Sequence, residues 1–357
     1  VAAAGAVYIL ATRNGRRLLA SPGPWLAAAL AIAGLMPVLW FSFTQAHEAL
    51  QFQFVQRHPW RFDLGGLKFF LDQAVITTPL LFGFLVAAWL WLGREIRKAD
   101  DRNILLWLFA TFPAGTYFLL SPFMGQNFDI FHWPLAGYMS LLVALPAVLR
   151  AAPRWLSLTT IIFSAAFTLA CVGVLALQVH FDFVHRNLPQ LVFKKNSNFS
   201  GWAEMAGRAQ ALLDRFEKED LLLVGDHYVT AAQLSFYTGR DVYTTEPWKL
   251  ARDGRAPQMR IWDLDEAGLA RQVGLDALVV YLAAERLRYS PERHAAALDR
   301  LCTLFGRVEH IDHLNLWDGN KVFDFYLARN VGAGPAEACP DPQPPDQHPV
   351  SVGTFKK

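Results

Sequence analysis

The sequence predicts a polytopic α-helical membrane protein, about five full spans plus a helix stub, followed by a small α/β extracytoplasmic domain. Three observations predict it. The chain has 357 residues, is 53% hydrophobic, and carries 12 Trp and 27 Phe. Its first half concentrates the apolar residues in runs about as long as a bilayer is thick, roughly 20 residues, while the second half has ordinary globular composition. Basic residues cluster in alternate loops of the first half, as a ladder of spans requires. The division expected is a transmembrane domain over 1–180, a juxtamembrane segment over 181–199, a periplasmic α/β domain over 200–330 and a disordered tail over 331–357.

The opening VAAAGAVYILAT is apolar but too short to cross a membrane, and reads as the last turns of a helix. The chain starts with Val1 and not Met, and no signal peptide is visible; with this stub, it is expected to be the C-terminal part of a longer membrane protein. Full spans are expected at 25–44, with Pro37 as a kink, and at 70–92, 104–121, 133–149 and 156–178. Arg13, Arg16 and Arg17 precede the first span. Arg94, Arg97, Lys98 and Arg102 follow the second, and Arg150 and Arg154 follow the fourth. Those loops are read as cytoplasmic. The loops at 45–69 and 122–132, and everything after about 179, then lie outside. Trp25, Trp40, Trp89, Trp91, Trp133 and Trp155 fall near span ends, where interfacial Trp belongs. Richness in Ala, Leu and Arg suggests a bacterial source. Within 181–199, aromatics mixed with Arg186, Lys194 and Lys195 suit either a segment lying on the membrane surface or a plain linker.

From about residue 200 the pattern changes. GWAEMAGRAQALLDRFEKE has helical spacing of apolar residues, and DLLLVGD reads as a buried strand. YVTAAQLSFYTG reads as a helix stopped by Gly239. DVYTT, LDALVVYL, RVEHIDHLNLW and KVFDFYLAR read as further strands. SPERHAAALDRLCTLFG reads as a helix with Pro291 at its first position. Alternating helix and strand make a small α/β domain. Cys302 and Cys339 can pair if this domain is extracytoplasmic, although Cys339 falls in the expected tail. Cys171 reads as a small residue of an apolar run.

A net charge of +2 excludes a nucleic-acid partner driven by bulk charge. The polar residues that invite a role lie in the two outer loops. The first holds Glu48, Gln51, Gln53, Gln56, Arg57, His58, Arg61, Asp63 and Lys68, interleaved with aromatics, and Asp72 and Gln73 continue it. The second holds Gln126, Asn127, Asp129 and His132, beside Trp133 and Tyr138. Aromatic faces with polar side chains suit a sugar, and Arg, Lys and His at headgroup height suit a phosphate. Ordinary membrane loops also carry charges and aromatic belts, so composition by itself leaves both readings open. In the soluble part, Asp226 and His227 follow a strand where α/β sheets present ligands, or else cap the next helix. His310 and His313 have metal-like spacing on a helix only. A strand is expected there, and no zinc site with it.

Three segments together resemble the bacterial membrane glycosyltransferases of the C-type superfamily, which include protein O-mannosyltransferases and lipid A aminoarabinose transferases. PVLWFSFTQAHEALQFQFVQRHPW resembles the family's Pro-containing span and the Gln-rich aromatic loop after it. HWPLAGYMSLLVALP resembles its His/Asn-Trp-Pro helix start, and LLVGDHYVTAAQLSFYTGRDVY resembles the strand-helix piece of its periplasmic domain. One departure is Phe41, where many relatives have Asn after the first Trp.

The resemblance implies transfer of a sugar from a polyprenyl-phosphate donor to a lipid, glycan or protein acceptor at the outer face of the inner membrane. A carboxylate acts as general base, and basic groups or a divalent metal stabilise the departing lipid phosphate. The key acid is expected upstream of Val1. Asp129, His132, Gln126, Trp133, Glu48 and Gln53 would line the sugar or acceptor site, and Arg57, His58 and Lys68 would meet the donor phosphate. The rival readings are a transporter or flippase-like protein with an accessory periplasmic domain, and a membrane-anchored binding protein.

Overall fold

The computed structural model describes residues 2–44, 55, 60–98, 100–124, 132–181, 183, 200–216, 221–283, 291–316 and 321–340. The chain divides into two compact units, Val1–Val172 and Gly173–Lys357.

Among the described residues, four helices are long and apolar enough to cross a membrane: Pro22–Thr44, Pro79–Lys98, Asp101–Phe123 and Arg154–Phe181. The first unit begins with α1 (Ala2–Ala11), α2 (Arg13–Leu18) and α3 (Pro22–Thr44). A 3-10 turn (Leu64–Leu67) leads into α4 (Lys68–Thr77), and α5 is Pro79–Glu95. Next, α6 (Asp101–Ala110) passes through a π-turn (Thr111–Gly115) into α7 (Thr116–Leu120). The last two helices are α8 (Leu135–Ala151) and α9 (Arg154–Phe181).

Of the five full spans expected, four helices among the described residues have spanning length, and α1 and α8 are shorter apolar helices. Proline accounts for the difference. Pro134 marks the start of α8, and Ala152 is extended (φ −84°, ψ 161°) because Pro153 follows it. Seventeen residues of helix reach only about 25 Å, short of a hydrocarbon core of about 30 Å. The single span expected at 70–92 is two helices instead. Pro79 has no N–H to continue the ladder, and Thr78 takes φ 68° and ψ 142°, so α4 and α5 are separate segments. Pro113 likewise sits inside the π-turn that interrupts α6 and α7.

Leu85, Ala88 and Leu92 of α5, Ala110 and Ala114 of the α6 segment, and Tyr138, Leu141 and Ala144 of α8 form the buried core of this unit. Small residues let the backbones come close. Gly137 is the tightest point: a Cβ there would lie 2.6 Å from the Ala110 carbonyl oxygen and 2.9 Å from the Ala114 Cβ. By contrast, the apolar side chains of α3 and α9 are almost all exposed, a surface that lipid chains would cover.

The loops predicted to share a side meet one another. Asn14 of α2 hydrogen-bonds Asp101 at the start of α6. Among the loops read as outer, the Asp63 N–H donates to the Pro122 carbonyl at 2.7 Å.

In the second unit, α10 (Trp202–Phe216) precedes a five-stranded sheet of order β2-β1-β3-β5-β4. The strands are β1 (Leu222–Gly225), β2 (Val242–Thr244), β3 (Ala277–Leu282), β4 (Phe305–Leu316) and β5 (Lys321–Val331). Between them lie α11 (Tyr228–Thr238), α12 (Pro247–Arg252), α13 (Ala256–Ile261), α14 (Glu266–Ala270) and α15 (Pro291–Leu304). β1 runs parallel to β2 and β3, whereas β5 is antiparallel to β3 and β4. Alternate residues of β5 serve opposite faces. Phe323, Phe325 and Leu327 pack with α10 and α11, while Tyr326 and Ala328 pack with Leu298 and Leu301 of α15. The α11 helix ends where predicted, at Gly239 in the left-handed region with φ 68°.

The tail expected from 331 does not begin there. Residues to 340 fold back on the domain: the Ala336 N–H donates to the Cys302 carbonyl at 2.8 Å, and the Glu337 N–H to the Gly306 carbonyl at 3.0 Å. Cys339 forms a disulfide with Cys302, Cα to Cα 5.9 Å. Composition signals disorder through low hydrophobicity, but these backbone bonds, one covalent link and the packing of Ala336 against the core hold the segment. Residues 341–357 lie outside the described residues.

Candidate functional site

The described ends of the two loops read as outer meet at close quarters, residues 62–66 against Ser121–Phe123. Asp63 caps the Leu64–Leu67 turn by accepting from the Gly65 N–H at 2.8 Å. Gly66 then lies against the backbone of Ser121 and Pro122, so close that a Cβ would sit 2.7 Å from the Pro122 Cα. Glycine is required here because the neighbour is main chain and cannot rotate away. Phe62 and Phe123 meet edge to face, with centroids 5.6 Å apart.

Three of the predicted site residues are described. Lys68 is mostly exposed and pairs with Asp72 one turn on, Nζ to the carboxylate oxygens at 2.9 and 3.2 Å. Exposed pairs of this kind contribute about 0–1 kcal/mol, so Asp72 is a weak competitor for a phosphate. His132 lies in the turn that starts α8, its carbonyl accepting from the Leu135 N–H at 3.2 Å. Trp133 meets the edge of Tyr117, with centroids 5.2 Å apart. Glu48, Gln53, Arg57, His58, Gln126 and Asp129 lie outside the described residues, as do Gln51, Gln56 and Asn127.

Lys68 and Trp133 lead into α4 and α8, and these helices are tied together five residues further on (68 to 73 and 133 to 138). There the buried Tyr138 hydroxyl donates to the Gln73 side-chain oxygen at 2.9 Å. The bond satisfies the hydroxyl that α8 carries inward.

Beside this tie is a cavity of about 440 Å³, lined by Phe70, Phe82, Val86, Trp89, Phe118 and Leu141 among others. That is a size suited to a small-molecule or lipid-chain ligand. Its polar lining atoms are engaged elsewhere: the Trp89 Nε1–H donates to Thr111 Oγ1 at 2.8 Å, and Tyr138 is held by Gln73. The cavity therefore presents carbon, which suits an alkyl or isoprenoid chain. Sequence reasoning missed it because its walls come from five helical segments. The one local signal was Pro113, whose π-turn places Thr111, Ala114 and Gly115 on the cavity wall.

In the second unit, Asp226 and His227 cap and brace. The Asp226 carboxylate is fully buried and accepts from the His227 N–H at 2.8 Å and the Leu282 N–H at 3.1 Å, joining the ends of β1 and β3. His227 Nδ1 accepts from the Val229 N–H at 3.1 Å and the Thr230 N–H at 3.4 Å, capping α11. The Tyr228 hydroxyl donates to Asp253 at 3.2 Å. Burial, then the nearby Asp253 charge, pushes that hydroxyl above its ordinary pKa.

His310 and His313 require a correction. They were expected to be incompatible with metal geometry on a strand, where residues three apart face opposite ways. A register shift between His310 and Asp312 turns both rings to the face that carries Asp324. Cavity, loop junction and histidine cluster are all read from this chain's own geometry. The chain matches no family model, no curated protein and no solved structure.

Proposed function

We propose that the protein belongs to a bacterial membrane glycosyltransferase that takes a sugar from a polyprenyl-phosphate donor at the outer face of the inner membrane. The acceptor is a hydroxyl or phosphate of a lipid, glycan or protein. Its oxygen attacks the anomeric carbon, the bond from that carbon to the donor phosphate breaks, and the acceptor proton passes to a general base. The observation that carries the reading is the apolar cavity beside the Tyr138–Gln73 tie, walled in part by α4, α7 and α8, which lead to the loops read as outer. An isoprenoid chain fits such a cavity, and the headgroup would then lie by the loops, near Lys68 and Trp133. Lys68 supplies a cation for the phosphate, and Trp133 an aromatic face for the sugar. The sequence resemblance supports the same donor chemistry. The Cys302–Cys339 disulfide supports an oxidising, periplasmic setting for the second unit.

The test is transfer assayed with two donors that differ only in lipid length, using the full-length enzyme in nanodiscs. Val86 lines the cavity and is 42% exposed, so Val86→Trp should fill the space without disturbing the core. The long-chain donor should lose at least tenfold in kcat/KM while a short-chain analogue is little changed. Equal losses for both donors would remove the cavity from lipid binding. Absence of transfer by the wild-type enzyme, with every lipid-linked sugar offered, would remove the activity.

One observation favours a second reading, a transporter. The break at Thr78 between α4 and α5 is the sort of discontinuous helix that lines substrate paths. Sugar-lipid translocation without transfer in the same vesicles would select it.

A further inference from the structure

We infer that the second unit carries a binding site for a first-row transition ion of zinc-like chemistry, held by His310, His313 and Asp324. One ligand atom from each residue lies within 4.8 Å of the other two. His313 Nδ1 is 2.6 Å and His310 Nε2 3.3 Å from the same Asp324 oxygen.

The backbone explains the convergence. His313 is directly opposite Asp324 in the β4–β5 pairing, and His310 is opposite Tyr326. Asp324 and Tyr326 are two apart on β5 and share a face. The extra residue of the bulge, between His310 and Asp312, puts both histidines on that face. Their neighbours are sent elsewhere: Asp312 pairs with Arg208 of α10, and Ile311 packs with the core on the α10 side.

The donor set selects the ion. Two imidazoles and one carboxylate suit zinc, cobalt, nickel or copper, whereas magnesium and calcium prefer all-oxygen cages. Tetrahedral bonds of about 2.0–2.1 Å set neighbouring ligand atoms about 3.3 Å apart. The His310 to Asp324 separation already has that value at 3.3 Å. The His313 to Asp324 separation needs to open by about 0.7 Å from its 2.6 Å, a side-chain rotation. His310 is 25% exposed, His313 10% and Asp324 3%, so an ion can enter past His310 and meet a buried carboxylate. Three protein ligands leave one position for water or another donor. An ion there would clip the edge strand β4 to β5.

The experiment is a Co2+ titration of the full-length, tag-free protein in detergent after chelator treatment, followed by Zn2+ displacement. The wild type should develop ligand-field absorption that saturates at one ion per chain and is abolished by Zn2+. His310→Gln, at the most exposed ligand, should weaken binding at least tenfold, and Asp324→Asn should abolish it. His227→Gln, outside the cluster, should titrate like the wild type. Absence of ligand-field bands in the wild type, or unchanged binding in His310→Gln, would overturn the site.

Discussion

The buried Tyr138 hydroxyl donates to the Gln73 side-chain oxygen at 2.9 Å, joining α8 to α4. Both groups are buried, Gln73 fully and Tyr138 almost so. Tyr138→Phe should therefore leave the Gln73 oxygen short of this donor and destabilise the unit by roughly 1–3 kcal/mol. Pairing it with Gln73→Leu should recover part of the loss, since removing both polar groups costs less than orphaning one. Thermal unfolding of the full-length protein in detergent measures both. A double variant worse than the sum of the singles contradicts the pairing.

Gly137 faces the main chain of the π-turn. Its would-be Cβ lies 2.6 Å from the Ala110 oxygen. Gly137→Ala should lower stability by about 1–3 kcal/mol through overpacking, although alanine is the better helix former by about 1 kcal/mol. Gly83 has open space at the same point, so Gly83→Ala should be neutral or stabilising. Similar behaviour of the two variants would show that α8 does not approach the π-turn this closely.

The Cys302–Cys339 disulfide closes a loop with a sequence separation of 37. A loop of that length restricts the unfolded chain by roughly 3–4 kcal/mol. Cys339→Ser should lose stability of that order and free residues 332–340 for proteolysis. Limited digestion under oxidising and reducing conditions reads this directly. A wild-type cleavage pattern indifferent to reductant would mean that the backbone bonds alone hold the segment.

Acid should act through Asp324. Burial by itself pushes its carboxyl up. Hydrogen bonds from His310 and His313, together with their charge, outweigh burial and hold it well below the usual carboxylate range. A carboxyl depressed in the folded state stabilises the fold above its unfolded value, about 3.9. That contribution is lost as pH falls from there toward the folded value. With chelator present, the stability gap between wild type and Asp324→Asn should be widest at neutral pH and narrow below about pH 4. A gap of constant size from pH 7 to pH 3 would contradict the shift.

What the sequence by itself determined was local. Runs of apolar residues placed α3, α6 with α7, α8 and α9, because hydrophobicity is written residue by residue. Period and turn chemistry placed the five strands and the end of α11 at Gly239, which needs only its own φ. Clustered Arg and Lys grouped the loops that Asn14 and Asp101 then bring together. The tertiary structure decided what depends on partners distant in sequence. The break at Thr78 had a local cause in Pro79, yet the apolar run from 70 to 92 hid it. The cavity needed five segments to meet. The disulfide needed the tail to fold back along backbone hydrogen bonds, which composition does not encode. The histidine cluster needed one extra residue in β4, a bulge defined only against β5, to turn two side chains of opposite parity onto the face of Asp324. A period-two pattern assumes regular pairing, and only the paired strand shows where that regularity stops.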